Sequence, residues 1–93
     1  MDAGNSTVRM HYNFVGRVQG VGFRWNAMHI ARKYGVSGWA RNLYDGTVEM
    51  EAEGTPLDIA TLVDELKAGR WTYVEQIDEK TLPVQGGYGF EIR

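Results

Sequence analysis

Apolar and polar residues alternate with a period of two in two stretches of the chain, and this period is typical of β-strands. The first stretch, residues 8–15, places four apolar side chains on one face: Val8, Met10, Tyr12 and Phe14. The second, residues 47–53, alternates three apolar residues with Glu49, Glu51 and Glu53. We expect these glutamates to face water while the apolar side meets helices, as in an antiparallel sheet with one covered face.

Two other segments follow the helical period. Residues 23–34 form the first predicted helix, which Gly35 ends and whose core stripe comprises Phe23, Ala27, Ile30, Ala31 and Tyr34. In the second predicted helix, Thr55 is the N-cap and Pro56 the first helical residue. Gly69 is expected to end this helix, and its apolar residues recur at helical spacing: Ile59, Leu62, Val63 and Leu66.

The remaining segments complete a β-α-β-β-α-β order. A second strand is predicted over residues 36–42, followed by a hairpin turn at Asp45-Gly46. Residues 73–82 predict a fourth strand, irregular or bulged because its alternation is poor, and residues 88–93 a short edge strand. This order is that of a ferredoxin-like α+β sandwich, a mainly antiparallel sheet covered on one face by two helices.

Length and composition limit the possible classes. The 93 residues suffice for one small domain, which we expect over residues 8–93, after a flexible N-terminal segment of residues 1–7. The lack of cysteine excludes disulfides, a catalytic thiolate and cysteine metal sites. No stretch predicts a membrane span or a signal peptide, so we expect a cytoplasmic protein. The absence of a long exposed apolar stripe predicts a monomer.

The net charge of −2 conceals an uneven distribution of charge along the chain. Residues 3–44 contain six basic residues and no acidic one, whereas residues 45–93 contain eleven acidic and four basic residues. An acid-free region favours anion binding, although exposed bases can also pair with acids, which we expect for Arg32 and Lys33. Nucleic acid is a disfavoured partner, because the sequence pI is about 5.6 and no basic cluster with interleaved aromatic residues occurs.

A glycine-rich loop joins the first strand to the first helix, with the sequence Gly16-Arg17-Val18-Gln19-Gly20-Val21-Gly22-Phe23-Arg24. Its glycines permit positive φ angles, which let backbone amides turn toward one point. The N-terminus of the following helix adds unpaired amides and a positive dipole end, and Arg24 adds a guanidinium fork. The loop is therefore a candidate phosphate site, the alternative being an ordinary turn with an exposed arginine.

A second candidate segment, residues 38–42, ends the second strand with Asn42. An asparagine amide can both donate to and accept from a water molecule. It also lacks the negative charge with which a carboxylate would repel an anion. Asn42 is thus a candidate for orienting a water molecule, the alternative being local capping of the backbone before the turn.

Other polar and aromatic residues have simpler interpretations. We expect His11 and His29 to be surface residues, and Asp45 to serve its turn with Gly46. Trp25 and Trp39 either line or support the site or pack in the core. We expect Arg17 either to steer anions or to form a salt bridge and Arg41 to be a surface charge, and we assign no role to Arg93.

The segments Gly16–Arg24 and Gly38–Glu49 together resemble the two sequence motifs of the acylphosphatase family. The resemblance extends in layout over residues 8–93 and is densest from 16 to 54. Two departures are visible, at Ala40 and in the turn Gly69-Arg70-Trp71, and both concern packing rather than the candidate site.

This resemblance implies hydrolysis of acyl phosphates to a carboxylate and inorganic phosphate, without a metal, a cofactor or a covalent intermediate. It implies that Arg24 binds the phosphoryl oxygens and that Asn42 orients the attacking water, while backbone amides cradle the phosphoryl group, those of Gln19, Gly20, Val21, Gly22, Phe23 and Arg24. Inorganic phosphate is then a product and a competitive inhibitor. Neither nucleic acid nor a membrane is an expected partner.

A different class of function uses the same loop. A non-catalytic anion-binding or regulatory module would hold phosphate, carbamoyl phosphate or a related metabolite, and a similar domain occurs inside larger carbamoyl-handling maturation proteins. Binding requires only the loop and Arg24, whereas hydrolysis also requires an oriented water molecule. Asn42 therefore discriminates between the two alternatives.

Overall fold

A computed structural model describes residues 6–93, which form a five-stranded sheet and two helices. In chain order the elements are β1 (Val8–Arg17), α1 (Phe23–Tyr34), β2 (Ser37–Asn42), β3 (Val48–Gly54), α2 (Pro56–Lys67), β4 (Tyr73–Leu82) and β5 (Phe90–Ile92). The strand order is β4-β1-β3-β2-β5, antiparallel except that β5 lies parallel to β2. The predicted ferredoxin-like α+β fold is confirmed. The expected flexible segment, residues 1–7, lies mostly outside the described residues.

The core lies between the two helices and one face of the sheet. The buried residues include most of those predicted: Tyr12, Phe14, Val48, Met50 and Ala52 from the sheet, and Phe23, Ala27, Ala31, Ile59, Leu62 and Leu66 from the helices. Met28 is buried as well, which the predicted stripe of α1 did not include. The ring of Phe14 meets that of Phe23 edge-on, 5.0 Å between centroids. This contact fixes the first residue of α1 against β1, and so places the start of the helix beside the loop.

Helix boundaries follow the predicted capping signals, with one correction. α1 spans the predicted residues 23–34, and Gly35 ends it with a φ of 70°. Thr55 caps α2 by accepting a hydrogen bond from the Asp58 amide, 3.1 Å. α2 ends at Lys67 rather than at Gly69, because the Gly69 amide donates to the carbonyl oxygen of Leu66, three residues earlier, and so leaves the α-helical pattern.

β1 is longer than predicted. Gly16 and Arg17 were assigned to the loop, but they pair with Val74 and Tyr73 of β4. The register shifts after Val15, which leaves Glu75 as the extra residue of a bulge and confirms the predicted irregularity of the fourth strand. At Gly16 a Cβ atom would lie 2.2 Å from the Tyr73 carbonyl oxygen, so only glycine fits here. β2 and β5 are shorter than predicted, starting at residues 37 and 90.

The prediction that the glutamates of β3 face water is wrong for Glu53, whose exposed fraction is 5%. Its carboxylate accepts hydrogen bonds from the amides of Gln85 and Gly86, at 2.7 and 2.8 Å, and from Arg9 Nη1 at 3.1 Å. Residues 83–89 thus fold over this end of the sheet. An alternating pattern shows which face a residue occupies, but it does not reveal a later segment that covers that face.

Glu49 and Glu51 are also paired rather than freely hydrated. Glu51 accepts a hydrogen bond from Arg9 Nε at 2.7 Å. Glu49 lies 2.7 Å from His11 Nε2 and accepts from Arg41 Nε at 2.6 Å. Burial opposes ionisation of Glu49, but these hydrogen bonds outweigh it and lower the pKa of its carboxyl group. The sheet face opposite the helices therefore carries a layer of ion pairs.

Candidate active site

The loop between β1 and α1 comprises residues 18–22, once the extension of β1 is taken into account. Val18 is buried, with an exposed fraction of 1%, and Val21 packs against the core. Gly20 lies between Val18 and Val21, and Gly22 follows Val21. Both glycines adopt positive φ angles, 74° and 77° respectively. The loop is therefore attached to the core by apolar side chains while its glycines reverse the direction of the backbone.

The N-terminus of α1 has no side-chain cap. Gly22 occupies the N-cap position, and the first helical hydrogen bond runs from the Asn26 amide to the Gly22 carbonyl oxygen, 2.9 Å. The amides of Phe23, Arg24 and Trp25 are thus left without an acceptor within the helix. α2 is different, since a threonine hydroxyl caps it and an acidic residue lies in its first turn. α1 alone of the two presents an open, positively polarised end.

A pocket of about 90 Å³ lies at this open end. Its lining residues are Val18, Gly20, Gly22, Phe23, Arg24, Trp25 and Asn42. It thus brings together the two candidate side chains, Arg24 from the first motif and Asn42 from the second. Gln19 and Val21 belong to the same loop but are not among the lining residues. Among residues 6–93, no acidic residue lines the pocket.

Arg24 is held by a contact that the sequence did not predict. Its Nη1 atom donates to the carbonyl oxygen of Arg93 at 3.3 Å, and the Arg93 amide donates to the carbonyl oxygen of Ala40 at 2.8 Å. Arg93, to which we assigned no role, therefore links Arg24 to β2. Within residues 6–93 the Arg24 guanidinium forms no ion pair with an aspartate or glutamate side chain. Its charge is therefore not neutralised by an acidic side chain in this part of the chain.

The Gln19 side chain connects the two motifs, whereas sequence reasoning considered only its backbone amide. Its Nε2 atom donates to the carbonyl oxygens of Leu43 and Thr47, at 2.6 and 2.9 Å. These residues belong to the turn that begins directly after Asn42, and the Leu43 amide itself donates to the Thr47 carbonyl oxygen at 2.9 Å. The loop and the end of β2 are thus attached to each other by a side-chain amide.

Asn42 is the last residue of β2 and its side chain is exposed. The turn after it has the predicted form, with Gly46 at a φ of 91°. Asp45 Oδ1 accepts from the hydroxyl of Thr47 at 2.7 Å and from its amide at 3.0 Å. The hydroxyl bond, followed by the amide bond, lowers the pKa of the Asp45 carboxyl group. Asp45 thus serves the turn, as expected.

The two histidines and Trp39 have the surface or core positions that the simpler interpretations expected, whereas Trp25 lies at the candidate site. His11 contacts Glu49 on the sheet face opposite the helices, and His29 is exposed on α1. Trp39 is buried, with the Arg93 guanidinium 4.8 Å from its ring centre. Trp25 lines the pocket and remains 57% exposed.

The basic residues of the first half of the chain divide into two groups. Arg9, Arg41 and Lys33 pair with carboxylates, the last with Glu65 at 3.1 Å as expected. Arg17, Arg24 and Arg32 have no such partner within residues 6–93, so the pairing expected for Arg32 is not found there. Residues 6–93 also contain no group of three histidine, aspartate or glutamate side chains that could hold a metal ion, and no helix there is long and apolar enough to span a membrane.

A family model described as Acylphosphatase matches residues 10–92. The chain belongs to the acylphosphatase family. The acylphosphatase of Thermococcus kodakarensis is 44% identical over 86 residues, which cover 91% of this chain and 94% of that protein. That of Caldanaerobacter subterraneus is 41% identical over 80 residues, with 85% and 89% covered. The crystal structure of the acylphosphatase from Bacillus subtilis has a TM-score of 0.87 at 33% identity, covering 92% of this chain and 98% of that one.

The acylphosphatase match includes both motifs on which the resemblance depended, residues 16–24 and 38–49. It also includes the departures at Ala40 and at residues 69–71, so neither places the chain outside the family. The resemblance inferred from the sequence is therefore confirmed at the level of family and fold.

Proposed function

We propose that the chain hydrolyses the carboxyl–phosphate bond of acyl phosphates and releases a carboxylate and inorganic phosphate. One observation carries this proposal: a pocket that no acidic residue of the described part of the chain lines joins Arg24 and Asn42 at the uncapped N-terminus of α1. Membership of the acylphosphatase family supports the same reaction, as do the names of the similar proteins.

The phosphoryl group would bind at the open end of α1. The loop amides from Gln19 to Arg24 donate hydrogen bonds to its oxygens, and the Arg24 guanidinium offers two parallel N–H groups. Two features support this role for Arg24: it lines the pocket, and it has no aspartate or glutamate side-chain partner within residues 6–93. The contact with the Arg93 carbonyl oxygen limits the directions in which the guanidinium can point.

Asn42 would orient the attacking water. The water oxygen bonds to phosphorus while the bond between phosphorus and the acyl oxygen breaks, and its electron pair leaves with the carboxylate. One proton of the water passes to a phosphoryl oxygen, so no separate base is needed. A carboxylate is a good leaving group, and a loose phosphoryl transition state depends mainly on positioning and on stabilisation of charge. We propose that the guanidinium and the amides supply this charge without a metal ion.

Inorganic phosphate carries the same oxygens as the transferred group, so it is expected to inhibit competitively. The proposals that the protein is monomeric and cytoplasmic rest on the sequence, which lacks cysteine and a long apolar stripe.

Turnover of benzoyl phosphate by the folded protein, with a chelator present, tests the proposed activity. Release of benzoate and phosphate at an undiminished rate in the chelator supports metal-independent hydrolysis. A folded protein that binds phosphate but gives no turnover, with or without added divalent metal ions, would instead support the non-catalytic anion-binding module.

A further inference from the structure

Trp25 is a large apolar side chain that remains exposed at the entrance of the pocket. It is the third residue of α1, lines the pocket and has an exposed fraction of 57%. Helical side chains lean toward the N-terminus of their helix, so the indole covers the turn that precedes its own Cα atom. That turn is the uncapped end of α1, where the phosphoryl group is proposed to bind.

The pocket is small beside sites that enclose a whole drug-sized ligand. Its volume of about 90 Å³ compares with roughly 300–1,000 Å³ for pockets that enclose drug-sized ligands. If the phosphoryl group occupies the pocket, the acyl group must extend out of it. The acyl group then contacts whichever side chains are accessible at the entrance.

Among the seven lining residues, Trp25 alone combines an apolar side chain with substantial exposed surface. Val18 and Phe23 are buried, with exposed fractions of 1% and 2%. The remaining lining residues are two glycines and the polar pair Arg24 and Asn42. An apolar acyl group that extends out of the pocket therefore has one large apolar surface to contact, that of Trp25.

We propose that Trp25 contacts the acyl group and makes the site prefer acyl phosphates with aromatic or extended apolar acyl groups over small ones such as acetyl phosphate. This proposal rests on the proposed function, which defines where the phosphoryl group lies. We expect this preference for large acyl groups to be a factor of about 3 to 30 in kcat/KM, the effect that aromatic pairing and burial of apolar area produce.

A second cavity offers the alternative position for the acyl group. Its volume is about 410 Å³, it lies beside β5, and the fully exposed Tyr88 is among its lining residues. Arg93 also lines it and contacts Arg24, so the two cavities are close to each other. Tyr88 is therefore the matched control, an exposed aromatic residue of the neighbouring cavity.

The test compares kcat/KM for benzoyl phosphate and acetyl phosphate in the native protein and in Trp25→Ala, Trp25→Phe and Tyr88→Ala. We expect Trp25→Ala to lower the ratio of benzoyl to acetyl activity about 3- to 30-fold, and Trp25→Phe to retain most of it. Tyr88→Ala should leave the ratio unchanged. An equal loss on both substrates in Trp25→Ala, or a fall of the ratio in Tyr88→Ala alone, overturns the proposal.

A binding measurement separates this proposal from the proposed activity. Benzoylphosphonate is not hydrolysed in this reaction, because a carbon–phosphorus bond replaces the bond between phosphorus and the acyl oxygen. Calorimetry compares the affinity of the protein for benzoylphosphonate with its affinity for inorganic phosphate. We expect Trp25→Ala to weaken benzoylphosphonate about 3- to 30-fold more than phosphate. If neither acyl phosphate is hydrolysed but this difference persists, the activity is wrong and the acyl contact stands. If hydrolysis occurs and the difference is absent, the acyl contact is wrong.

Discussion

The side-chain amide of Gln19 donates a hydrogen bond of 2.6 Å to the carbonyl oxygen of Leu43, the residue that follows Asn42. Gln19 belongs to the loop that leads to Arg24, so this bond and a second one to Thr47 join the two segments of the candidate site. The distance between the proposed phosphate-binding groups and Asn42 therefore depends on a contact between two loops. Rate enhancement is sensitive to such distances, because a displacement of about 1 Å can cost about 100-fold in rate.

Gln19→Glu should impair activity more than Gln19→Ala. The glutamate has the same shape but offers no donor to the two carbonyl oxygens, and its charge repels both them and the substrate. We expect kcat/KM to fall about 10-fold in the alanine variant and about 100-fold in the glutamate variant, within the range that misplacement produces. Loss of the two bonds should lower the free energy of unfolding by about 1–3 kcal/mol.

Steady-state kinetics and urea unfolding measure these effects. Gln76→Ala is the matched control, because Gln76 donates to Asp78 on the exposed surface of β4. It should change neither quantity appreciably. Equal kinetics in Gln19→Glu and the native protein would show that the bridge to Leu43 does not position the site.

Arg24→Ala should abolish phosphate binding and catalysis together. The guanidinium is proposed to stabilise charge on the phosphoryl oxygens, and removal of one such donor typically costs about 100- to 1,000-fold in rate. Arg24→Lys keeps the charge but loses the planar fork, so we expect it to recover only part of the loss. Competitive inhibition by inorganic phosphate, measured with each variant, should weaken in the same order.

Arg41→Ala is the control for this experiment. Arg41 is paired with Glu49 at 2.6 Å and lies outside the pocket. Its removal therefore changes the net charge by the same amount without touching the site. A loss of phosphate affinity in Arg41→Ala as large as in Arg24→Ala would mean that general electrostatic attraction, and not the specific contact, governs binding.

Asn42→Ala should lower kcat while leaving phosphate inhibition largely intact. The amide is proposed to position water, which contributes only after the substrate is bound. We expect a fall of about 100-fold in kcat, in the range of positioning and proton-transfer effects, with the inhibition constant of phosphate changed by less than about 3-fold. Asn42→Asp should weaken both, because a carboxylate repels the anion. If the alanine variant loses binding and rate equally, Asn42 holds the phosphoryl group rather than the water.

Local patterns in the sequence predicted those features that depend on neighbouring residues. The capping signals Gly35, Thr55 and Pro56 and the turn at Asp45-Gly46 each act within a few residues, and each has the predicted place. Contacts between distant segments were not predictable in this way. The Gln19 bridge spans 24 residues to Leu43, and the Arg24 contact spans 69 residues to Arg93.

The candidate site likewise combines features that the sequence predicted with features that depend on contacts between distant segments. Its two motifs were recognisable by their resemblance to those of the acylphosphatase family, and the structure brings Arg24 and Asn42 into one pocket. The extension of β1 through Gly16 and Arg17 was not predicted, since it depends on pairing with β4, whose own register is interrupted by a bulge. The burial of Glu53 was missed for a similar reason. Residues 83–89 form no helix or strand, so no sequence pattern indicated that they pack over β3.

Glu53 gives a prediction on the pH dependence of stability. Hydrogen bonds from the Gln85 amide first, and then from the Gly86 amide and the Arg9 guanidinium, outweigh burial and lower the pKa of its carboxyl group below the ordinary value of about 4.3. A lowered pKa in the folded state means that the ionised carboxylate stabilises the fold. This stabilisation is complete above about pH 4.3 and is lost as the pH falls through the lowered pKa of the folded state.

Glu53→Gln should therefore lower the free energy of unfolding at pH 7 by about 1–3 kcal/mol, because an amide cannot accept from all three donors. The difference from the native protein should narrow as the pH falls below about 4.3, since protonated Glu53 loses the same interactions. Urea unfolding between pH 7 and pH 3 measures this difference. Hydrogen exchange at the Gln85 and Gly86 amides should accelerate in the variant, because a single amide oxygen replaces the two carboxylate oxygens that accept from them. Glu91→Gln, at an exposed ion pair with Arg93, should change stability by less than about 1 kcal/mol. A difference between Glu53→Gln and the native protein that stays constant with pH would mean that the carboxylate charge does not hold residues 83–89 on the sheet.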